Sequence, residues 1–277
     1  MAEEHAGRVV LVTGGSSGIG RAAAELLAAG GAAVAVSGVD AAGTHEAAEA
    51  ITAAGGRALP IVADVADGAA VAEAVRRTVD AFGGLDVLVT SAGIQRYGTV
   101  ADTDDKTWDE VFAINVKGVF LAARAALPHL RRSTSGGAVV VVSSVQARAT
   151  QSNVAAYAAA KGALNALVRS MAVDEAPFGV RVNAVCPGSV DTPMLRRSAE
   201  LFSDGTDASV QRMLDDWGRS HPLGRIGTPR EVAEAIAFLA GTRAGFLTGV
   251  DIPVDGGLLA TLPVALPTAA PEPIAGA

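Results

Sequence analysis

The sequence predicts an α/β fold: a doubly wound parallel sheet of about seven strands, covered by helices on both faces, in a single domain. Three observations predict it. Short apolar runs without polar alternation recur along the 277 residues, as expected of strands buried on both faces. Segments of helical length and composition separate them, stopped by glycines or prolines. The first apolar run ends on the glycine-rich stretch Thr13-Gly14-Gly15-Ser16-Ser17-Gly18-Ile19-Gly20, placed where a strand gives way to a helix.

The elements follow in order. Residues 9–12 form the first strand and 19–29 the first helix, closed by Gly30-Gly31; 33–36 is a second strand, and 41–54 a helix closed by Gly55-Gly56. Further strands are predicted at 58–62, 87–90, 138–142, 180–185 and 250–254. The helices between them are expected at 67–82, 107–131, 154–175 and 229–240. The last of these opens on Thr228-Pro229-Arg230-Glu231, a capping box with proline at the first helical position. The alternation is that of a parallel sheet wrapped on both sides. No linker interrupts 8–257, so residues 1–261 read as one domain. Four prolines without a period make 262–277 a flexible tail. The polar stretch from Asp191 to Leu223 is expected to be a long loop roofing the pocket.

Composition excludes several functions. Half of the chain is hydrophobic and 32 residues are glycine, which suits a large core with many tight turns. A net charge of −7 gives no basic surface for nucleic acid. The single cysteine, Cys186, excludes an intrachain disulfide and reads as a buried structural thiol in a reducing compartment. The acidic start MAEEHAGR lacks the apolar core of a signal peptide, and no run of ~18 residues free of charge, Gly or Pro suggests a membrane span. These features point to a soluble, cytoplasmic protein. His5, His45, His129 and His221 are scattered without ligand spacing, so no metal is expected.

The chemistry is concentrated in 144–161. Tyr157 and Lys161 are four apart in a helical segment, which stacks them on one face. An ammonium beside a phenol favours the phenolate over its usual range near 10. Ser144, at the end of a predicted strand, could meet the Tyr157 hydroxyl over a substrate oxygen.

The spacing Ser-x12-Tyr-x3-Lys and the glycine pattern TGxxxGxG resemble the short-chain dehydrogenase/reductase family, whose domain is Rossmann-type. More matches follow in chain order over 8–257: Asp64-Val65, Ala92-Gly93, Asn115 and Pro187-Gly188-Ser189-Val190-Asp191-Thr192. The resemblance implies that Gly14, Ser16, Ser17, Gly18, Ile19 and Gly20 cradle the pyrophosphate of a dinucleotide. It places the adenine against Asp64 and Val65, and the nicotinamide carboxamide against Val190 and Thr192 beside Pro187 and Gly188. Ser91, Ala92 and Gly93 stand where the family has an NNAG motif, with Thr90 and Ser91 replacing its asparagines, so a shifted local hydrogen-bond network is expected there. Tyr157 is then the general acid–base, Lys161 lowers its pKa and holds the nicotinamide ribose, Ser144 polarises the carbonyl, and Asn115 completes a proton relay.

The resemblance implies NAD or NADP as cofactor. The strand-two position that carries an acid in NAD-preferring members is Gly38; Asp40, two residues later, would still repel a 2′-phosphate, and the nearest base is Arg21. NAD is therefore favoured. The implied reaction interconverts a ketone and a secondary alcohol, on either a 3-oxoacyl thioester or a sugar, polyol or small alcohol. A thioester on an acidic carrier protein would need a cationic patch, for which Arg96, Arg148, Arg196 and Arg197 are the candidates. Gln95, Arg96, Tyr97, Gln146 and Arg148 are expected near the pocket mouth. A catalytically silent dinucleotide-binding scaffold is the rival reading. The alanine-rich helix at 154–175 is too smooth and apolar for solvent all round, so a dimer or tetramer is expected.

Overall fold

The computed structural model describes residues 4–262. The predicted tail, beyond Leu262, lies outside the described residues. Seven parallel strands form one sheet in the order β3-β2-β1-β4-β5-β6-β7: β1 Val9–Thr13, β2 Ala33–Gly38, β3 Arg57–Val62, β4 Val87–Thr90, β5 Ala138–Val142, β6 Arg181–Pro187 and β7 Asp251–Val254. Each predicted strand is present within about two residues. The helices are α1 Gly18–Ala29, α2 Ala41–Ala53, α3 Gly68–Phe82, α4 Asp105–Phe112, α5 Gly118–Leu130, α6 Ala155–Glu175, α7 Pro193–Leu201, α8 Asp207–Arg219 and α9 Pro229–Ala240.

Strand periodicity divides the core between the two faces. Leu11, Val139 and Val141 point to one side, where they pack on Val71 and Ala74 of α3, Leu121 and Ala126 of α5, and Leu164 and Val168 of α6. Val10, Val12, Val140 and Val142 point to the other, against Ala23 and Leu27 of α1, Ala47 of α2, and Val232 and Ile236 of α9. Both faces of β1 and β5 are covered, which is why their sequences are continuous apolar runs. Arg8 and Arg181 close the lower edge by donating to the last carbonyls of α9 and its cap, Ala240 and Leu239 among them, where the helix dipole favours a cation.

Two expectations are corrected. The helix predicted over 107–131 is two helices joined by a wider π-turn, Ala113–Lys117. The whole stretch Asp105–Leu130 is long and apolar enough to cross a membrane by composition, with a mean hydropathy of 1.4 in its most apolar window. Its α5 part is nevertheless buried in the core through Leu121, Ala122, Ala126 and Leu130. The second correction concerns 191–223, expected as an irregular loop. It folds into α7 and α8, held together by a small core of Ala199, Val210 and Leu214 with Leu195, Met213, Trp217 and Ile226. Thr192 and Thr206 cap the two helices, accepting from the Leu195 and Ser209 amides. Thr192-Pro193 is the same start signal as Thr228-Pro229, whose capping box forms as predicted.

Candidate active site

Strand order reverses beside β1, so the chain leaves β1 and β4 in opposite directions and opens a crevice at their carboxyl ends. A cavity of about 890 Å³ occupies it. Its walls include Gly14, Ser16, Ser17, Gly18 and Ile19 after β1, Asp40 after β2, and Asp64 and Val65 after β3. Ser91, Ala92 and Gly93 after β4, Ser144 after β5, and Pro187, Gly188, Val190 and Thr192 after β6 complete one continuous wall with Tyr157 and Lys161 of α6. Residues from six strand ends and from α6 thus converge, because parallel strands all present the same end.

Two predicted residues stand behind this wall. A Cβ on Gly20 would lie 2.1 Å from the Gly14 carbonyl oxygen, so Gly20 lets α1 pack on the turn and does not face the cavity. Asn115 is fully buried in the π-turn. Its Oδ1 accepts from the Ile94 amide at 2.8 Å and its Nδ2 donates to the Ile94 carbonyl at 2.9 Å. That reciprocal pair fixes the strand exit beside Gly93, where an added Cβ would meet Asn115 Oδ1 at 3.3 Å and Lys161 Nζ at 3.9 Å.

The cavity's other end is shaped to receive an anion. Gly14 has φ +71°, and a Cβ there would lie 2.4 Å from the Ala92 amide nitrogen, so no other residue fits. Ser17 begins α1 without capping it through its side chain, and Asp40 begins α2 in the same way, whereas α3, α4, α7, α8 and α9 are all capped. The first-turn amides of α1 therefore have no side-chain acceptor at the cavity wall. On the far side Gly227 exchanges backbone bonds with Ser189 and Asp191, which leaves the Val190 amide and carbonyl uninvolved in that bridge. Thr192 accepts a cap bond, yet its hydroxyl proton remains available as a donor. These features fit a dinucleotide. The hydrogen-bond network expected of Thr90 and Ser91 does not form in full: the Thr90 hydroxyl is buried without a partner, and the main chain holds the segment through Ser91 N to Thr13 O at 2.9 Å.

The end of the cavity at Ser144, Tyr157 and Lys161 is dry. Tyr157 and Lys161 are 8% and 5% exposed. Burial pushes the Tyr157 phenol up to about 12, with the Ser144 hydroxyl working against it and Tyr97 adding to it. Burial brings the Lys161 ammonium down to about 8, with Cys186 working against the fall. The Lys161 Nζ sits 5.4 Å from the centre of the Tyr157 ring and donates to the Val142 carbonyl at 3.0 Å. For the polypeptide alone, desolvation sets the direction of the phenol's shift, with the Lys161 amine lying over the ring face. Ser144 accepts from the Gln146 amide at 3.1 Å and keeps its own proton to donate. Cys186 is buried, as expected, with Asn165 Nδ2 3.8 Å from its sulfur.

Of the polar residues expected at the mouth, Gln95, Tyr97 and Gln146 line the cavity. Arg96 and Arg148 do not. Arg96 makes a two-point ion pair with Glu110 at 2.9 and 3.0 Å, and Arg148 pairs with Asp251 on the β7 side. Sequence reasoning missed His221, which is 3% exposed and lines the wall from the end of α8. Its Nε2 accepts from the Ser189 amide at 3.1 Å, so its Nδ1 carries the proton and donates to the Trp217 carbonyl at 2.9 Å. No sequence spacing links residue 221 to residue 189. Among the described residues no cluster of three or more His, Cys, Asp or Glu is placed to hold a metal ion.

Comparison with known proteins agrees with this geometry. Residues 14–259 match the family model described as enoyl-(acyl carrier protein) reductase. The chain is 43% identical to a cis-4-hydroxycyclohexanecarboxylate dehydrogenase of Sinomonas cyclohexanicum, over 94% of this chain and 100% of that one. It is 39% identical to 2-(S)-hydroxypropyl-CoM dehydrogenase 3 of Xanthobacter autotrophicus, over 91% and 96% of the two chains. The ligand-free aldohexose dehydrogenase of Thermoplasma acidophilum superposes with a TM-score of 0.88 at 35% identity, covering 96% of this chain and 100% of that one.

Proposed function

The chain belongs to the short-chain dehydrogenase/reductase family, an NAD(P)-dependent oxidoreductase acting between CH–OH and C=O, and we propose the following assignment of its residues. Tyr157 is the general acid–base. With its pKa near 12 the phenol holds its proton at neutral pH, ready to give it to a carbonyl oxygen. Ser144 donates a hydrogen bond to that same oxygen. Lys161 spends one N–H on Val142 and has two left for a ribose and for the relay that Asn115 backs. The dinucleotide supplies or accepts the hydride when bound. Gly14, Ser16, Ser17, Gly18 and Ile19 hold its pyrophosphate, Asp64 and Val65 its adenine, and Val190 and Thr192 its carboxamide.

The cofactor is NAD. Asp40 faces the cavity without capping its helix, and Arg21 is committed to Glu25 at 2.8 Å and Glu46 at 2.9 Å, which leaves it no role for a 2′-phosphate. The substrate is a small alicyclic, sugar-like or polyol alcohol. The relatives' names speak of a hydroxycyclohexanecarboxylate, a hydroxypropyl-CoM and an aldohexose. A carrier-borne thioester is disfavoured, since Arg96, Arg148 and Arg196 are all engaged by carboxylates. Residues 1–261 act as one domain in the cytoplasm. Ala159, Ala166 and Val173 leave an apolar stripe exposed along α6, with Phe120 of α5 exposed as well, and this supports a homo-oligomer.

The observation that carries the reading is one cavity with a glycine turn at one end and the buried Ser144, Tyr157 and Lys161 at the other. Its test is titration of wild type and Tyr157→Phe with NADH and NADPH, then turnover on a panel of ketones and alcohols. Binding by both proteins with turnover lost on the order of 10²–10⁴-fold in the variant is expected. Binding without turnover of any substrate by wild type would favour a silent dinucleotide-binding scaffold.

A further inference from the structure

Three of the four arginines near the crevice are neutralised, and the fourth is not. Arg96 is paired with Glu110, Arg148 with Asp251, and Arg196 with Asp191 through two contacts of 2.7 and 2.8 Å. Arg197, next in the chain, makes no ion pair among the described residues, although Glu200 lies one turn further along the same helix. Along α7, Pro193, Met194, Leu195, Arg197 and Ser198 line the cavity, while Arg196 turns back to Asp191.

The surroundings of Arg197 are those of the substrate end. Burial pushes the Tyr97 phenol up, with Ser198 beside Arg197 working against the rise, and Tyr97 in turn lies close enough to Tyr157 to push that phenol up. Tyr97 also packs edge-on against Phe202 at the end of α7, with ring centres 4.7 Å apart. The acids on the cavity wall, Asp40 and Asp64, belong to the loops after β2 and β3, with the glycine turn. Lys161, the other Lys or Arg on the wall, is buried and tied to Val142. The substrate end therefore carries a solvent-facing guanidinium with donors uncommitted and no carboxylate to answer it.

Resting on the oxidoreductase reading above, we infer that Arg197 is the specificity-determining residue for an anionic substrate: a secondary alcohol or ketone bearing a carboxylate or similar oxyanion away from the reacting carbon. A planar fork of donors on a helix wall suits a carboxylate held at two points. The same helix carries Thr192, so binding the anion would also fix α7 over the cavity.

The probes are cyclohexanecarboxylate and its neutral isostere cyclohexanecarboxamide, neither of which can react. Their binding to the NADH-loaded protein is measured by calorimetry for wild type, Arg197→Gln and Arg197→Lys. Wild type is expected to prefer the carboxylate by about tenfold or more, a preference that shrinks as salt rises because the guanidinium is exposed. Arg197→Gln should bring the two ligands to within about twofold, and Arg197→Lys should keep part of the preference. NADH affinity should be the same in all three, which reports an intact fold. No preference in wild type, or an unchanged preference in Arg197→Gln, overturns the assignment. Turnover of a hydroxycyclohexanecarboxylate is scored apart. A protein that binds the acid through Arg197 yet turns nothing over sinks the oxidoreductase reading and keeps this one.

Discussion

The Lys161 ammonium donates to the Val142 carbonyl at 3.0 Å and lies over the Tyr157 ring, 5.4 Å from its centre. The strand β5 therefore sets where the lysine sits, and the phenol next to it is left to the consequences of burial. A buried phenol beside a buried amine settles toward two neutral groups, since each charged form is costly away from water. Tyr157 thus moves up to about 12 and Lys161 down to about 8. At neutral pH the phenol is protonated, which is the form needed to reduce a carbonyl.

The Tyr157 shift is measurable by ultraviolet titration. The protein has two tyrosines, and the difference between wild type and Tyr157→Phe isolates one of them. In the folded protein no phenolate from Tyr157 should appear at pH 10, whereas the urea-unfolded chain should show it there. Because the folded state holds this proton longer, stability should fall as pH rises from about 10 to 12. A half-formed phenolate at pH 10 in the folded protein would refute the burial argument.

Lys161 predicts the opposite slope. Its folded pKa of about 8 lies below the unfolded value of 10.5, so the unfolded chain holds the extra proton between these limits. Stability should therefore rise with pH across this window, by on the order of 3 kcal/mol in all. Lys161→Met lacks that dependence. Urea midpoints at pH 7 and at pH 9.5 should show wild type gaining on the variant, and parallel behaviour of the two proteins would contradict the assignment.

Asp40 sets the dinucleotide preference in this reading. Asp40→Ser removes a carboxylate that faces the cavity. NADPH should then bind about three- to tenfold more tightly, with NADH changed little or weakened, as fluorescence titration would show. Tighter binding of NADPH than NADH by wild type would end the NAD assignment at once.

His221 links the far end of α8 to the segment after β6. Its neutral ring accepts from Ser189 and donates to Trp217, and Gly188 sits so close that an added Cβ would lie 2.8 Å from Nε2. His221→Leu leaves a part-buried amide without an acceptor, which should lower stability by about 1 kcal/mol. Nicotinamide-end binding should weaken with it, because Val190 follows on the same segment. An unchanged urea midpoint and NADH affinity would show that the ring only fills space.

Much of this was legible in the chain. Strands β1, β4 and β5 are continuous apolar runs because both sheet faces are covered there, and that pattern survives in one dimension. Gly14 was legible for a related reason: a turn at φ +71° against the Ala92 backbone admits one residue type. The two helices in 191–223 were missed although Thr192-Pro193 announced the first, since their small core of Ala199, Val210 and Leu214 is spread thinly over a polar stretch. Motif placed Gly20 in the pyrophosphate cradle and Asn115 in a proton relay, and packing sets both one layer behind the cavity wall.

By itself, then, the sequence determined the sheet, the glycine turn after β1 and the Ser144, Tyr157 and Lys161 spacing, because each depends on residue types at short fixed intervals. Tertiary structure alone decided three other things: the direction of the Tyr157 shift, which arginine faces the cavity without an ion pair among the described residues, and the reach of His221 to Ser189. Desolvation, ion pairing and hydrogen bonds across 32 residues of chain are properties of distance in space, and distance in space is set only when the chain has folded.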